Sequence, residues 1–446
     1  MTFAPNEARI RPVILDLWAE TRADWRFVSE RLAQAFREAK QLHSSERRIV
    51  AETIYGLVRR VRTIDHCLAA AGIPAPLPGA PEITNKRSHI DLVAYRVLFE
   101  DLPLIAAMAE RPDVPWDAVQ HAFEDIAQHD DPVIRFGLRH SFPDWLAREL
   151  LTELGPEADA FAAALNERAP LTVRANGIKT NRTALLPKLA EEGIAAHATT
   201  WSQHGLTLDT RTNVFGLKAF KAGLFEVQDE ASQLVTELVA PSSGTSLVID
   251  ACAGAGGKTL ALGALMHNKG RLVAMDTAYH KLEELGRRAR RAGLSNHRWV
   301  VVDDDGPLPP EVHKYTGKAD RVLVDAPCSG VGSMRRNPEA RWRLAPDFIA
   351  ALPDIQARIA LRAMPLVAVG GRLVYATCTT LRRENEAVID KILSQAVGAW
   401  ERVSPKEILG KAKTEGIISD DGFSLRTWPH KHGMDGFFGA VLRRKA

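Results

Sequence analysis

The second half of the chain alternates strand-length apolar runs with helical segments, and this pattern most restricts the possible folds. From Glu226 onward the alternation predicts βαβ units, and therefore an α/β fold with a doubly wound, mainly parallel sheet. The run Phe437–Leu442 is predicted as a last edge strand. In chain order the other predicted elements are Leu247–Asp250, Lys258–Met266, Arg271–Asp276, Lys281–Ala292, Trp299–Val302, Arg321–Asp325, Pro353–Ala368, Arg372–Ala376 and Glu384–Leu393.

The first half of the chain has a different character. Apolar residues keep helical spacing over residues 8–128, which predicts an all-α domain at residues 1–130. Residues 131–224 are predicted to join linker helices to a small α+β subdomain, and the doubly wound domain covers residues 225–446. The elements predicted between these domains are the helical region Pro132–Asn166, strand Leu171–Asn176, helix Arg182–Glu192, and short strands at Thr200–Asp209 and Asn213–Phe220.

Composition excludes several classes of protein. A length of 446 residues allows two or three domains, and a formal net charge of +3 does not by itself indicate a nucleic-acid partner. Four irregularly spaced cysteines, without a C-x-x-C pair, predict free thiols and no metal site. The first seven residues lack the pattern of a signal peptide, and no apolar run approaches about 18 residues. We therefore expect a cytoplasmic protein without a membrane span, and we expect a monomer.

Three of the four cysteines follow predicted strands. Cys252 comes after Leu247–Asp250, Cys328 follows Asp325 at the end of another strand, and Cys378 follows Arg372–Ala376. Ligands of open α/β sheets bind beyond the carboxyl ends of the strands. The sequence therefore predicts that these thiols and Asp325 share one site.

The segment Gly254–Gly257 forms a glycine-rich loop between a strand and a helix. The phosphate-loop pattern requires a glycine at Cys252, and the dinucleotide pattern requires one at Thr259, so neither pattern is complete. Asp276 ends the next strand, where an acid can hold both ribose hydroxyls. A short loop with a ribose-binding acid suits S-adenosyl-L-methionine, which has no pyrophosphate; a plain strand-to-helix turn is the alternative.

A third acid is expected beside the adenine, after the strand Trp299–Val302. Asp303, Asp304 and Asp305 all compete for this place. Asp303 is favoured because it follows the strand directly, and the other two are then solvated turn residues.

A pair of thiols suits chemistry on a pyrimidine. A single strand-end cysteine is usually a small apolar residue, but two on neighbouring strand ends favour a functional role. A thiolate that adds to C6 of cytosine makes C5 nucleophilic enough to take a methyl group, and a second cysteine, or a base acting with it, can then remove the C5 proton. Asp325 can hydrogen-bond N3 and the exocyclic amine, and Lys258 can lower the pKa of a thiol.

Five motifs occur in order and together resemble the NOL1/NOP2/Sun family of RNA cytosine-5 methyltransferases. The resemblance covers about residues 130–446, and the amino-terminal helices resemble the NusB-like RNA-binding domain of the family's bacterial RsmB branch, which methylates 16S ribosomal RNA. The motifs are Phe225–Leu234, Asp250–Thr259, Asp325–Gly330, Tyr375–Thr379 and Pro429–Phe438.

This resemblance implies a Rossmann-like methyltransferase domain that uses S-adenosyl-L-methionine and acts on RNA. It implies that Cys378 is the nucleophile and that Cys328 assists product release, with Asp325 and Lys258 in the catalytic set. The cofactor contacts that it implies are Cys252, Ala253, Gly254, Ala255, Gly256, Gly257, Lys258, Asp276, Asp303 and Asp325.

Two positions depart from the family pattern. Ala255 occupies the place of a proline in the glycine loop, which is expected to loosen the turn. Arg382 and Arg383 replace Pro-Glu after the nucleophile, which changes the charge beside the site and suggests a different RNA context.

Clusters of basic residues are candidates for RNA contacts, with an ordinary solvated surface as the alternative. Arg335 and Arg336 are the best phosphate candidates because they follow Cys328 closely, and Trp342 between arginines could stack a base. The other clusters are Arg47, Arg48, Arg59, Arg60 and Arg62, then Arg287–Arg291, Arg341–Arg343 and Arg443–Lys445.

The function predicted from these observations is methylation of cytosine C5 in RNA, with 16S ribosomal RNA as the substrate. Transfer RNA and large-subunit ribosomal RNA are alternative substrates. A non-catalytic RNA-binding assembly factor is the alternative from another class, and the retained cysteines, Lys258 and Asp325 speak against it. The mismatch at Cys252 disfavours a nucleotide hydrolase.

Overall fold

A computed structural model describes residues 7–76 and 84–445. Residues 1–6, which carry most of the argument against a signal peptide, lie outside the described residues.

The helices are α1 (Glu7–Ala23), α2 (Val28–Glu38), α3 (Ser44–Ala70), α4 (Asn85–Phe99), α5 (Leu104–Glu110), α6 (Trp116–Asp125), α7 (Pro132–His140), α8 (Asp144–Leu154), α9 (Ala158–Asn166), α10 (Arg182–Glu191), α11 (Lys218–Lys221), α12 (Glu230–Val239), α13 (Gly257–Leu265), α14 (Tyr279–Ala292), α15 (Pro310–His313), α16 (Ala340–Arg343), α17 (Pro346–Ala363), α18 (Glu386–Gln395), α19 (Pro405–Leu409), α20 (Lys411–Thr414) and α21 (Pro429–His432). Short 3-10 turns cover Ile126–Gln128, Gly155–Glu157, Val214–Gly216, Val331–Ser333, Met364–Leu366 and Arg382–Glu384. The strands are β1 (Leu171–Ala175), β2 (Ala196–Ala198), β3 (Gly205–Leu208), β4 (Phe225–Val227), β5 (Leu247–Asp250), β6 (Arg271–Asp276), β7 (His297–Val301), β8 (Ala319–Asp325), β9 (Val367–Thr377), β10 (Trp400–Val403), β11 (Ser424–Arg426) and β12 (Phe438–Arg444).

The described residues form two compact units. The helical unit comprises the residues up to Arg168 together with the segment Met334–Pro346. The sheet unit comprises residues 169–333 and the chain from Asp347 onward. The predicted domain boundaries at residues 130 and 224 stay a prediction. Among the described residues, no helix is both long enough and apolar enough to cross a membrane.

The helical unit is built around α3. Its buried residues, which include Val50, Ile54, Leu57 and Val61, recur at three- and four-residue intervals along one face. A capping box at His43 and Glu46 satisfies backbone N–H groups at the start of this helix. Within the described parts of residues 8–128, α1–α6 confirm the predicted helical character.

The segment Met334–Pro346 packs within the helical unit although it lies far along the sequence. The indole of Trp342 donates to the carbonyl of Val58 at 2.9 Å and packs against Trp25. The fully buried Arg341 donates to Asn166 Oδ1 at 2.8 Å. These side chains are therefore part of a packed interior.

The sheet unit begins with a small antiparallel sheet in the strand order β2-β3-β1-β4. It confirms the α+β character predicted for this region, with α10 packed beside β1 and β2. Two local predictions were wrong. Residues Asn213–Phe220 form a 3-10 turn and α11 instead of a strand, and only Gly205–Leu208 of the predicted strand Thr200–Asp209 is extended.

The main sheet has the strand order β10-β12-β9-β8-β5-β6-β7, with β11 paired to β12. The neighbours from β9 to β7 are parallel, whereas β12 is antiparallel to β9. The helices α12, α13 and α14 pack on one face, and α17 and α18 pack on the other. The predicted doubly wound sheet is therefore confirmed.

The prediction that Phe437–Leu442 forms an edge strand was wrong. β12 lies between β9 and β10, and its residues Phe438, Val441 and Leu442 are buried. A nearly continuous apolar run is typical of a strand covered on both faces, and an exposed edge would not require it. The strand at this end of the sheet is β10, which the sequence did not predict.

Candidate active site

A cleft of about 370 Å³ opens at the carboxyl ends of β5, β6, β8 and β9. It brings together seven of the predicted site residues. The residues lining it are Ala251, Cys252, Gly254, Lys258, Asp276, Thr277, Lys281, Val302, Asp304, Asp325, Ala326, Pro327, Cys328, Ile359, Arg362 and Cys378. Of the other predicted cofactor contacts, Ala253, Ala255, Gly256 and Gly257 build the adjoining turn and do not line the cleft.

The glycine loop connects β5 to α13 through two residues with positive φ. Gly254 has φ +53° and Gly256 has φ +85°, a region that favours glycine. A Cβ at Gly256 would also lie 2.6 Å from Leu285 Cγ. The carbonyl of Ala255 accepts a hydrogen bond from Arg288 at 2.8 Å, so the turn is held even without the proline of the family pattern.

Asp276 ends β6 and faces the glycine loop. Its carboxylate accepts hydrogen bonds from Gly254 N at 2.8 Å and from Ala278 N at 2.9 Å. These two bonds fix the orientation of the carboxylate at the cleft wall. Each oxygen keeps further acceptor capacity, as a diol-binding acid requires.

Of the three acids after β7, it is Asp304 that lines the cleft, and the favoured Asp303 does not. The backbone carbonyl of Asp303 accepts a hydrogen bond from Arg362 at 2.5 Å, and Gly306 O accepts another from the same guanidinium at 3.0 Å. Arg362 and Ile359 on α17 line the cleft and were missed by the sequence argument. The spacing of α17 predicts a helix but does not indicate which of its residues reach the site.

The sulfur atoms of Cys328 and Cys378 lie 3.4 Å apart, within hydrogen-bonding range for sulfur. The hydrogen bond with Cys328 lowers the pKa of Cys378; burial opposes this effect, and Ser333 and Lys258 support it. The same hydrogen bond raises the pKa of Cys328 well above its usual range, and burial adds to the rise. The pair therefore favours a thiolate at Cys378 that accepts from a thiol at Cys328.

Lys258 and Asp325 form an ion pair beside the two sulfur atoms. The Nζ–Oδ2 distance is 2.6 Å, and the side chains are 12% and 26% exposed. Burial is the largest single influence on the pKa of Lys258 and lowers it, but the charge of Asp325, the hydrogen bond to Asp325 and the charges of Cys378 and Asp250 together outweigh burial, and the net shift is upward. Lys258 therefore stays cationic next to Cys378.

The third strand-end cysteine differs from the other two. Burial raises the pKa of Cys252 well above its usual range, and the nearby carboxylates of Asp250, Asp325 and Asp276 add to the rise. Cys252 is therefore a neutral thiol in the cleft wall. The fourth cysteine, Cys67, is buried in the helical unit, and burial raises its pKa to about 12.

The prediction that the arginines after Cys328 form an RNA surface was wrong for two of them. Arg335 and Arg341 are buried in the helical unit. The indole of Trp342 is engaged with Val58, so it is not free to stack a base. Arg336 and Arg343 are at least partly exposed, and their RNA contact stays a prediction.

The other basic clusters are also partly occupied by internal contacts. Arg288 and Arg291 both pair with the buried carboxylate of Glu226. On α3, Arg59 donates to a backbone carbonyl at 3.2 Å and Arg62 pairs with Asp144. These contacts assign structural roles to part of each cluster.

Comparison with known proteins identifies the family. A family model described as 16S rRNA methyltransferase RsmB/F matches residues 236–443, and one described as a ferredoxin-like domain of RsmF/B-like methyltransferases matches residues 142–215. The probable ribosomal RNA small subunit methyltransferase B of Synechocystis is 31% identical, over 90% of this chain and 92% of the relative. The Bacillus subtilis protein of the same name is 34% identical, over 83% and 78% of the two chains. The chain belongs to the NOL1/NOP2/Sun family, in its RsmB branch.

Two solved structures share the fold. The crystal structure of PH0851 has a TM-score of 0.79 and 25% identity, and covers 99% of both chains. NSun6 from Pyrococcus horikoshii has a TM-score of 0.60 and 21% identity, over 68% of this chain and 99% of that one, which supports the fold.

Membership confirms several predictions made from the sequence. The chain is a ribosomal RNA methyltransferase with a Rossmann-like catalytic domain. Its methyl donor is S-adenosyl-L-methionine, as the incomplete phosphate-binding pattern of the glycine loop predicted.

Proposed function

We propose that this RsmB-branch methyltransferase methylates C5 of a cytosine in small-subunit ribosomal RNA through a covalent adduct on Cys378. The observation that carries the proposal is the pair of sulfur atoms 3.4 Å apart, beside Lys258 and Asp325 and in the same cleft as the glycine loop. The names of the curated relatives support the small ribosomal subunit as the source of the substrate.

The cleft residues fit the chemistry of the methyl donor. Asp276 and Asp304 offer carboxylate oxygens for hydroxyl and amino groups, and Val302 and Ile359 offer an apolar surface for the adenine. S-adenosyl-L-methionine supplies an electrophilic methyl group on a positively charged sulfur. The carboxylates that line the cleft complement that charge.

In the first proposed step the Cys378 thiolate adds to C6 of the cytosine. Asp325 accepts a hydrogen bond from the exocyclic amine, and Lys258 holds Asp325 in place through the 2.6 Å ion pair. Formation of the S–C6 bond pushes an electron pair toward C5. C5 would then take the methyl group of bound S-adenosyl-L-methionine, whose S–CH3 bond would break to leave a neutral thioether.

The second step requires a base that accepts the C5 proton. The contact between the two sulfur atoms supports Cys328 as this base. The main cause that raises the pKa of Cys328 is its hydrogen bond with Cys378. When the sulfur of Cys378 is bonded to C6, it no longer carries the charge that holds the proton on Cys328. Cys328 then loses its own proton to solvent more readily, and its thiolate accepts the C5 proton. The electron pair of the C5–H bond re-forms the C5–C6 double bond, and the S–C6 bond breaks to release Cys378 as a thiolate.

Single cysteine variants test whether Cys378 is the nucleophile and Cys328 the base. Wild-type protein is incubated with labelled S-adenosyl-L-methionine and small-subunit ribosomal RNA, in parallel with Cys378→Ala and Cys328→Ala. We expect no labelled RNA from Cys378→Ala. We expect Cys328→Ala to accumulate a covalent protein–RNA adduct, visible as a slow band on a denaturing gel.

Cys67→Ala is the matched control, because this cysteine belongs to the helical unit and does not line the cleft, and it should label RNA normally. Normal methylation by Cys378→Ala would refute the proposal. Mapping of methylcytosines in RNA from cells lacking the protein then identifies the modified position, and an unchanged 16S map would exclude the proposed substrate.

A further inference from the structure

A fully buried carboxylate, Glu384, lies between the two loops that carry the cysteines. Its Oε2 accepts hydrogen bonds from Ser329 N and from Gln356 Nε2, both at 2.9 Å. Its Oε1 accepts from Thr379 Oγ1 at 3.3 Å. All three neighbours donate, so the ionised form of Glu384 satisfies them.

These partners are the sequence neighbours of the two cysteines. Ser329 follows Cys328 directly, and Thr379 follows Cys378 directly. The Ser329 hydroxyl also donates to Thr379 Oγ1 at 2.8 Å, which joins the two loops in a second way.

Gln356 extends the connection to the other side of Cys328. Its amide nitrogen donates to the carbonyl of Pro327 at 2.9 Å as well as to Glu384. Cys328 is therefore held on both sides by groups that Glu384 organises. The backbone of Glu384 is also held in place, because the hydroxyl of Tyr375 donates to its carbonyl oxygen at 2.6 Å.

We propose that Glu384 is a positioning residue that holds the Cys328 thiol within hydrogen-bonding distance of Cys378. The proposal rests on the function proposed above and explains how the reactive pair is kept together. Glu384 touches neither substrate nor sulfur and acts through the loops on either side. Its negative charge also opposes ionisation of Cys328, which keeps Cys328 as the donor.

Several charged and titratable groups surround this pair. Lys258 and Asp325 face Cys378 from the start of α13 and from the end of β8, and Tyr375 faces Cys328 and Glu384 from β9. Burial raises the pKa of Glu384, while hydrogen bonds from Ser329 and Gln356 oppose the rise. A test must therefore follow Cys378 itself and not overall activity.

The test measures the rate of Cys378 alkylation by iodoacetamide against pH, by peptide mass spectrometry on the full chain without RNA. Glu384→Gln replaces one carboxylate oxygen with an N–H donor, so one of the two loops loses its acceptor. We expect the midpoint for Cys378 to move up by about one pH unit, and the thiolate fraction near neutral pH to fall about tenfold.

A double-variant comparison shows whether Glu384 acts through Cys328. Cys328→Ala already lacks the donor, so adding Glu384→Gln to it should produce no further shift. An unchanged midpoint in Glu384→Gln would overturn the proposal, and so would an equal shift in both backgrounds. Glu386→Gln is the matched control, because Glu386 bonds Arg426 at 2.8 Å, and its midpoint should equal that of the wild type.

Gln356→Met provides a second variant if Glu384→Gln does not fold. It removes the bond to Pro327 and one donor to Glu384, so the midpoint should move in the same direction by a smaller amount. Failure of the proposed function is seen separately, because it appears as absent RNA methylation by the wild type. A wild type that methylates, with no midpoint shift in either variant, refutes the positioning role alone.

Discussion

The ion pair between Lys258 and Asp325 supports a quantitative stability prediction. Lys258→Met removes the ammonium group and keeps most of the side-chain volume. At an effective dielectric constant of about 20, two unit charges 2.6 Å apart attract by about 6 kcal/mol before desolvation is subtracted. Removing one partner of a fully buried pair costs about 3–5 kcal/mol. Because Asp325 is 26% exposed and water can partly replace the ammonium, we expect a loss of about 2 kcal/mol in the free energy of unfolding.

Unfolding in urea is monitored by hydrogen exchange. Peptides from β5 and β8 report on the sheet unit separately from the helical unit. The double variant Lys258→Met, Asp325→Asn removes both charges and leaves no uncompensated carboxylate. It should therefore be less destabilised than the sum of the single variants, by at least about 1 kcal/mol. Additive losses, or a loss below about 0.5 kcal/mol in Lys258→Met, would refute the reasoning.

The pH dependence of this stabilisation has a definite sign. Burial lowers the pKa of Lys258, but the charge of Asp325, the hydrogen bond to it and the charges of Cys378 and Asp250 together raise the pKa above its ordinary value of 10.5. A group whose pKa is raised by folding stabilises the protein fully below the unfolded pKa and loses that contribution as pH rises through the folded pKa. The stability difference between the wild type and Lys258→Met should therefore be constant near neutral pH and shrink above about 10.5.

Three further predictions concern Asp250, Trp342 and the pair of cysteines. Burial raises the pKa of Asp250 from 3.8 to about 7, so the unfolding free energy of the wild type, relative to that of Asp250→Asn, should fall as pH rises from about 4 to 7 and level off above 7. A difference between the two proteins that does not change with pH in urea unfolding would contradict this. Trp342→Ala should destabilise the helical unit by about 3 kcal/mol, measured by hydrogen exchange of α3, and weakened RNA binding at unchanged stability would instead support base stacking. Hydrogen peroxide should oxidise the Cys378 thiolate to a sulfenic acid, and the Cys328 thiol should displace water from it to form a disulfide. Non-reducing peptide mapping detects that disulfide, and sulfinic acid at Cys378 with a free Cys328 thiol would contradict the 3.4 Å separation of the two sulfur atoms.

The shared site of the strand-end residues was predictable from the sequence. Parallel strands present their carboxyl ends at one edge, so Cys252, Asp276, Asp325, Cys328 and Cys378 could be assigned to one place from strand boundaries alone. No contact distance was needed for that inference. The role that the structure supports for each sulfur did require distances, because it depends on which thiol donates.

Features that depend on long-range contacts were not predictable. The place of β12 inside the sheet depends on pairing with β9 and β10, and its late position in the chain suggested an edge. Arg341 and Trp342 have the composition of a surface patch, yet they pack among helices that precede them by more than 150 residues. In the sequence Glu384 belongs to a charged segment, and nothing local indicates that this glutamate is buried.

Local backbone geometry determines which of the three acids after β7 lines the cleft. Asp303 follows the strand most closely, but its backbone is held by Arg362, and the next residue lines the cleft. The direction of a side chain in a turn depends on backbone dihedral angles that residue type does not determine.

The segment Met334–Pro346 affects how the protein can be divided. A protein shortened to begin at residue 169 would keep every strand of both sheets, but it would also keep this segment. The indole of Trp342 and the guanidinium of Arg341 would then lose the groups that cover them. The indole would become exposed apolar surface that favours aggregation, and the guanidinium would lose its hydrogen-bond acceptors. Producing the catalytic half alone therefore requires a polar bridge in place of this segment, in addition to removal of the amino-terminal helices.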